Sequence, residues 1–181
     1  HQMYIGAGWN PFAGLSVGAN VNYLWGTYDH ATSQTFYEGS TANATTNSLH
    51  SLWSSDIRTY KIDLGLQYAL NIGTEDKLTL GASATLGHKI KSAVEMQRYT
   101  PKDTTKYSLD NGLAIPYTFS GGASYAHGTK WLVAADYTME RWDGCSVPVI
   151  RNDGEKDILV AADDQYLSRH RFNAGGEYCI N

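Results

Sequence analysis

Nine isolated charged residues stand among small polar residues and are the side chains that could carry chemistry. Paired carboxylates can act as general acid and base when their pKa values are driven apart. Here the four acids are spread over three predicted strands with basic residues nearby, so an ion-pair network is expected and catalysis is not. The nine are Arg58, Lys61, Asp63, Lys89, Lys91, Asp136, Glu140, Arg171 and Glu177.

The histidines and cysteines give no ligand pattern. The six histidines contain no HExxH or similar metal-ligand spacing, and Cys145 and Cys179 form no CxxC pair. A disulfide between the two cysteines requires a proximity that the sequence does not establish. We therefore expect neither a metal nor a cofactor.

The overall charge excludes a general nucleic-acid surface. The 181 residues carry 14 Lys and Arg against 18 Asp and Glu, a net charge of −4. Charged residues make up 18% of the chain, below the roughly 25% that is usual for soluble domains. The sequence contains no run of about 18 apolar residues and therefore predicts no transmembrane helix.

The elements that must position these residues are strands, because apolar residues alternate with small polar ones through most of the chain. The even positions from Tyr60 to Ile72 are all apolar or aromatic, and most of the odd positions between them are polar or small. This alternation predicts seven antiparallel strands at 2–9, 15–28, 57–72, 77–95, 112–127, 130–142 and 168–181.

Short and long connections alternate between the predicted strands. "NPFAG", "GTED" and "HGT" are typical of hairpin turns, whereas 29–56, 96–111 and 143–167 are long, polar loops. This asymmetry predicts an all-β, antiparallel, up-and-down meander. Apart from the first, the strands have about 13 to 19 residues, which is enough to cross a bilayer at a tilt of about 45°.

The composition of the two faces favours a transmembrane β-barrel. The polar face is mostly Gly, Ser, Thr and Asn, which suits a hydrated barrel interior. Aromatic residues near the strand ends predict a lipid-facing girdle of Tyr23, Trp25, Tyr60, Tyr117, Tyr125 and Trp131. The alternative is a soluble sheet with aromatic cross-strand pairs. Seven strands do not close a bacterial barrel, so the chain is either part of a larger barrel or contains an uncounted strand.

Four segments resemble the FadL/OMPP1/TodX family of outer-membrane transporters for long-chain fatty acids and other hydrophobic compounds. Three are "LSVGANVNYLWG", "YKIDLGLQYALNIGTEDKLTLGASATLGHKIK" and "SRHRFNAGGEYCI". The most specific runs from "LAIPYTF" to "ERWDG", with the family's spacing at Pro116, Gly122, Tyr125, Trp131, Asp136 and Trp142.

The resemblance implies a fourteen-stranded barrel in the outer membrane of a Gram-negative bacterium, with an N-terminal hatch in its lumen. Residues 1–181 would be a single, incomplete barrel domain that lacks the hatch and the first and last strands. The implied function is passive uptake of hydrophobic compounds such as fatty acids, by a monomer surrounded by outer-membrane lipid.

A fatty-acid carboxylate needs a basic partner beside an apolar wall. The candidate ligand-binding residues are the basic residues expected in the lumen, which are Arg58, Lys61, Lys89, Lys91 and Arg171. Two alternatives stay open, a small porin-like or adhesive outer-membrane barrel and a soluble β-sheet binding module. A barrel enzyme would need a Ser/His or Asp/His pair at the rim, and the sequence assigns none.

Overall fold

The structure is a computed structural model that describes residues 1–38 and 45–180. It is all-β and antiparallel, and in the described part of the chain no helix has the length and apolarity to cross a membrane. The described strands are β1 (Gln2–Phe12), β2 (Leu15–Glu38), β3 (Thr45–Ile72), β4 (Asp76–Leu86), β5 (His88–Ile90), β6 (Val94–Tyr99), β7 (Thr104–Leu109), β8 (Leu113–Ile115), β9 (Tyr117–His127), β10 (Trp131–Arg141), β11 (Val147–Asn152), β12 (Asp157–Ala162) and β13 (Arg169–Tyr178).

Seven strands of a nine-stranded sheet form one antiparallel meander, which we call the main sheet, in the order β1, β2, β3, β4, β9, β10 and β13; β6 and β7 extend it beside β3. This confirms the predicted up-and-down order of strands. Within the described residues β1 and β13 each pair with one strand only, so the sheet is open and these strands do not close into a barrel. The predicted all-β, antiparallel sheet is therefore confirmed, and its closure into a transmembrane barrel stays a prediction.

The register keeps the two faces chemically distinct across all seven strands. One row of paired residues runs Trp9, Val17, Leu66, Ala82, Gly121, Tyr137 and Phe172. The polar row beside it includes Ser16, Gln67, Gly81, Gly122, Asp136 and Asn173. Because side chains alternate with a period of two, every strand contributes to the same apolar face and the same polar face.

Glycine ends the strands at the three short turns. Gly14, Gly73 and Gly128 have φ values of 85°, 72° and 54°. Residues with a Cβ rarely adopt this left-handed conformation, so glycine is favoured where the chain reverses. The three predicted hairpin turns are confirmed.

The three predicted long loops are wrong, because each contains paired strands. β2 and β3 continue as one hairpin through most of 29–56, as far as Glu38 and Thr45, and residues 39–44 of that range lie outside the described residues. The region 96–111 holds β7 and most of β6, and 143–167 holds the β11–β12 hairpin. Polar residues such as Thr and Asn occur in solvent-exposed two-stranded ribbons as well as in loops, so the polar composition of these regions did not distinguish the two.

The predicted strand 77–95 is also too long. β4 ends at Leu86 because Gly87 passes close to another segment, where an added Cβ would lie 2.7 Å from the backbone oxygen of Ile115. From Gly87 the chain leaves the sheet and enters a set of short strands, which we call the cap (residues 88–115 and 143–167). The buried hydrophobic side chains of the described residues lie in this cap: Ile90, Val94, Met96, Cys145 and Ala162.

Candidate interaction surfaces

The apolar face of the main sheet is uncovered in this chain. Ile5 is 77% exposed, Leu66 47% and Phe172 77%, although all three belong to the continuous apolar face. Monomeric soluble proteins rarely leave an apolar patch of this extent open, so such a face marks contact with a membrane or with a protein.

The six aromatic residues predicted as a girdle lie on this face at two levels. Tyr23 pairs with Tyr60 and stacks on Trp25 near the cap, with ring centroids 5.5 Å apart. Tyr117 is the first residue of β9 and also lies near the cap. Tyr125 and Trp131 form the second level beside the short turns, with ring centroids 5.1 Å apart. Their contact with lipid stays a prediction, and further aromatic residues lie between the two levels at Tyr68, Phe119, Tyr137 and Phe172.

The polar face forms a shallow concavity. A cavity of about 450 Å³ is lined by small residues from four neighbouring strands, among them Ser16, Gly18, Gly65, Ser83 and Ser120. Side chains this small leave room for water along the sheet, as a hydrated interior requires.

Carboxylates on the polar face are held by partners on adjacent strands. Asp63 accepts hydrogen bonds from the amide of Asn22 at 2.9 Å and from the hydroxyl of Thr85 at 2.6 Å. The ammonium of Lys61 lies 3.2 Å from the same carboxylate. Asp136 accepts a hydrogen bond from Asn173 at 2.8 Å. The hydrogen bonds from Asn22, Thr85 and Asn173 join neighbouring strands. Of the predicted ion network, the described residues show only the Lys61–Asp63 pair, which lies within β3.

The structure does not bring the five candidate basic residues into one site. Lys61 and Arg171 lie on the polar face, but on β3 and β13, which are separated by three strands. Lys89 and Lys91 are exposed in the cap. Placing Arg58 in the lumen is wrong, since its register partner is Trp25 of the apolar face. A binding role for these residues stays a prediction.

A cluster at the short turns was missed by the sequence analysis. Nδ1 of His127 lies 2.6 Å from Oδ1 of Asp76, and the hydroxyl of Tyr125 donates to the same oxygen at 2.8 Å. Nε2 of His127 lies 3.5 Å from a carboxylate oxygen of Glu75. The cluster joins the β3–β4 turn to the end of β9. Only the cross-strand pairing of Asp76 with His127 reveals it, and the sequence does not show that pairing.

The cap contains an ion pair between two of its strands, and an apolar groove lies beside it. Arg98 on β6 lies 2.6 Å from Asp157 on β12. The hydrogen bond from Asn152, followed by the one from Arg98, lowers the pKa of the Asp157 carboxyl below its usual value. A separate groove of about 490 Å³ is lined by Trp53 of β3 and by cap residues that include Val94, Val147 and Tyr166. Both cysteines are free, with Cys145 buried and Cys179 exposed.

The BamG family model matches residues 1–181. No curated protein and no solved structure matches the chain. BamG is a different family from FadL/OMPP1/TodX, so the resemblance to fatty-acid transporters is wrong. The inferred channel for hydrophobic compounds falls with it, and the alternatives of a porin-like or adhesive barrel and a soluble β-sheet module fit no better.

The same match corrects the predicted partners and keeps part of the predicted location. The family implies a protein partner, so a fatty acid or hydrophobic small molecule is the wrong one. The family is associated with the bacterial outer membrane, which agrees with the predicted compartment. Matched over residues 1–181, the chain belongs to the BamG family.

Proposed function

We propose that this chain takes part in the assembly of outer-membrane proteins, through contact with the Bam machinery. The observation that carries this proposal is the match of the BamG family over the whole chain. In this proposal the chain acts by binding other proteins and performs no catalysis.

We further propose that the main sheet lies within the outer membrane with its apolar face towards lipid. The apolar face of β3 from Tyr60 to Ile72 extends about 40 Å at about 3.3 Å per residue. At a tilt of about 40° this length covers about 30 Å of the membrane normal, close to the hydrocarbon thickness. Charged side chains on this face occur towards its ends, at Asp56, Arg58, Asp76 and Arg141.

The polar face supports the same orientation. Its glycine and serine residues line a concavity, and Asp63 and Asp136 accept hydrogen bonds from neighbouring strands, so this face can meet the water of a barrel interior. The cap then stands outside the hydrocarbon region, where its buried side chains and its ion pairs hold it together without help from lipid. Cap and sheet would thus contact different partners.

The experiment that tests the function is depletion combined with affinity capture. The full-length protein is depleted in its own cells, and the levels of several unrelated outer-membrane proteins are measured in purified membranes. We expect all of them to fall together, and we expect the tagged protein to capture Bam components from detergent-solubilised membranes. Unchanged levels of outer-membrane proteins together with no capture of Bam components would refute the proposal.

A further inference from the structure

The cluster at the short turns places a carboxylate beside each nitrogen of one imidazole. Nδ1 of His127 lies 2.6 Å from Oδ1 of Asp76, and Nε2 lies 3.5 Å from Oε2 of Glu75. The hydroxyl of Tyr125 donates to the same oxygen of Asp76 at 2.8 Å. We call these four residues the turn cluster. The two acids lie at the β3–β4 turn and the other two residues at the end of β9, so the cluster joins two separate turns.

The charge of the imidazole determines which of these contacts it can make. A neutral imidazole has one N–H donor and one acceptor nitrogen, an imidazolium has two donors, and a carboxylate only accepts. At 2.6 Å the contact with Asp76 takes the N–H of the neutral ring, which leaves a lone pair on Nε2 directed at the carboxylate of Glu75. A second proton on the ring turns these two opposed acceptors into an ion pair. The contact with Glu75 therefore requires the imidazolium.

The other side chains around His127 leave the balance of charge to the two acids. From β10 the imidazole meets the uncharged indole of Trp131, with ring centroids 6.0 Å apart. Lys77 directs its side chain to the polar face, because side chains alternate along β4 and Asp76 lies on the apolar face. Lys130 lies in the β9–β10 turn, where its amide donates to the carbonyl of His127 at 3.1 Å, and the ion pairs of the described residues include none between its ammonium and either acid.

A backbone hydrogen bond joins the two turns at the same place. The amide of Gly128 donates to the carbonyl of Glu75 at 2.6 Å. Gly128 follows His127 in the chain, so the backbone bond and the side-chain contact link the same two turns at neighbouring positions. Holding the Glu75 side chain therefore restrains the carbonyl that accepts this bond, and the Gly128 amide reports on the restraint.

Water reaches the turn cluster. The side chain of His127 is 34% exposed and that of Glu75 is 66% exposed. The imidazole can therefore exchange protons with the solvent, and the Glu75 side chain has room to move away from it. Histidine is the side chain that ordinarily changes its charge between pH 5 and 8. A change of pH within that range can thus make or break one of the contacts between the two turns.

We propose that the turn cluster is a pH-sensitive switch that tightens the connection between the β3–β4 and β9–β10 turns in mildly acid conditions. Protonated His127 holds both carboxylates. As the pH rises, the imidazolium loses its Nε2 proton to water, Glu75 is released, and Asp76 stays bound to the remaining N–H. The hydrogen bond of the Gly128 amide then opens more often. This inference goes beyond the proposed function and does not depend on it.

The first measurement follows the charge of the imidazole directly. The full-length protein is folded in lipid nanodiscs with ¹⁵N-labelled histidine, and the ring ¹⁵N shifts are recorded at about pH 5.5 and about pH 8.5, either side of the range in which histidine ordinarily titrates. These shifts distinguish an imidazolium from each neutral tautomer, and the signal that His127→Gln removes identifies the residue. We expect an imidazolium at the lower pH and a neutral ring with its proton on Nδ1 at the higher pH.

The second measurement is the hydrogen exchange of the Gly128 amide, corrected for the pH dependence of intrinsic exchange. We expect its protection factor in the wild type to fall about two- to fivefold from the lower to the higher pH, as the loss of one partly exposed ion pair predicts. Glu75→Gln removes the carboxylate that is released and should abolish this fall. Glu177→Gln is the matched control, because it makes the same change near the same end of the sheet but on the polar face, and it should keep the fall.

The inference is overturned by an imidazole that keeps one charge state at both pH values, or by a Gly128 protection factor that does not change with pH in the wild type. A fall of equal size in Glu75→Gln would overturn it too, since the contact with Glu75 would then play no part. The first two outcomes need no variant and decide the question even if a variant does not fold. None of them bears on the proposed function, which depletion and affinity capture test.

Discussion

Replacing Leu66 by arginine tests whether the apolar face meets lipid. Leu66 lies on β3 midway between Tyr60 and Ile72, with Val17 and Ala82 beside it on the neighbouring strands. Its side chain is 47% exposed and no other part of the described chain covers it. In the proposed orientation this position lies at the middle of the membrane.

The expected loss of folding free energy depends on how deep in the membrane the substituted residue lies. A lipid-facing arginine at the bilayer midplane destabilises a barrel by about 2–4 kcal/mol, and one near the interface by about 0–1 kcal/mol. Leu66→Arg should therefore lower the folded-to-unfolded ratio by about 30- to 700-fold, at about 1.4 kcal/mol per factor of ten. Ile72→Arg, six residues along the same face, should lower it by no more than about fivefold.

The assay is equilibrium unfolding by guanidinium of the full-length protein in lipid vesicles. Gln67→Arg is the matched control, because Gln67 lies at the same depth on the polar face and its arginine would meet water. The reasoning is wrong if Leu66→Arg costs no more than Ile72→Arg or Gln67→Arg. It is equally wrong if the wild-type protein folds as a monomer in aqueous buffer without detergent or lipid.

Three further predictions concern the cap and its connection to the sheet. Gly87→Ala should destabilise the protein by about 1–3 kcal/mol, because its Cβ would lie 2.7 Å from the oxygen of Ile115 and 2.8 Å from the backbone carbon of Pro116; the midpoint of guanidinium unfolding measures this. Met96→Ala should cost about 2–5 kcal/mol, since its side chain is 2% exposed, and protease cleavage within the cap should accelerate while the exposed variant Lys106→Ala behaves like wild type. The pKa of Asp157 is lowered in the folded state, so its contribution is present above the unfolded pKa of about 3.9 and is lost as the pH falls through the folded value. The protection factors of amides in the cap should therefore fall at acid pH more steeply in wild type than in Asp157→Asn, and equal slopes would show that this carboxylate contributes nothing.

The main sheet could be predicted because its pattern is simple. Apolar and small polar residues alternate over many positions, as from Tyr60 to Ile72, and a period of two assigns each residue to a face. Glycine at 14, 73 and 128 marked the turns. Long strands joined by short turns on one side leave little choice of topology except a meander.

The cap could not be predicted, because its strands are short and its pairings are not local. β5 and β8 have three residues each and pair across more than twenty positions of intervening sequence. Short polar segments such as "TTKYSL" carry too few apolar positions to distinguish a strand from a loop. Their structure is fixed by the apolar side chains that gather around Val94, which only the folded chain brings together.

Two errors in interpreting the sequence have different causes, and the first is that charge was given more weight than position. Arg58 is an even residue of β3, as Tyr60 is, so alternation alone places it on the apolar face. Its charge suggested the lumen instead. The resemblance to fatty-acid transporters rested on glycine and aromatic residues in alternating strands, a pattern that the shape of a barrel wall imposes on many unrelated families. Such residues indicate the architecture and carry little information about the function.

The continuation of β2 and β3 beyond the sheet has a mechanical consequence. Their ladder is unbroken from Leu15 to Glu38, and β6 braces one side of it between His50 and Ser54. From Trp25 to Phe36 the ribbon rises about 36 Å along the strand, at about 3.3 Å per residue. The ribbon is therefore anchored at one end in the main sheet and supported partway along its length by β6. A force on the outer part of the ribbon would be transmitted through β2 and β3 to the main sheet, and the ribbon would bend most beyond its pairing with β6.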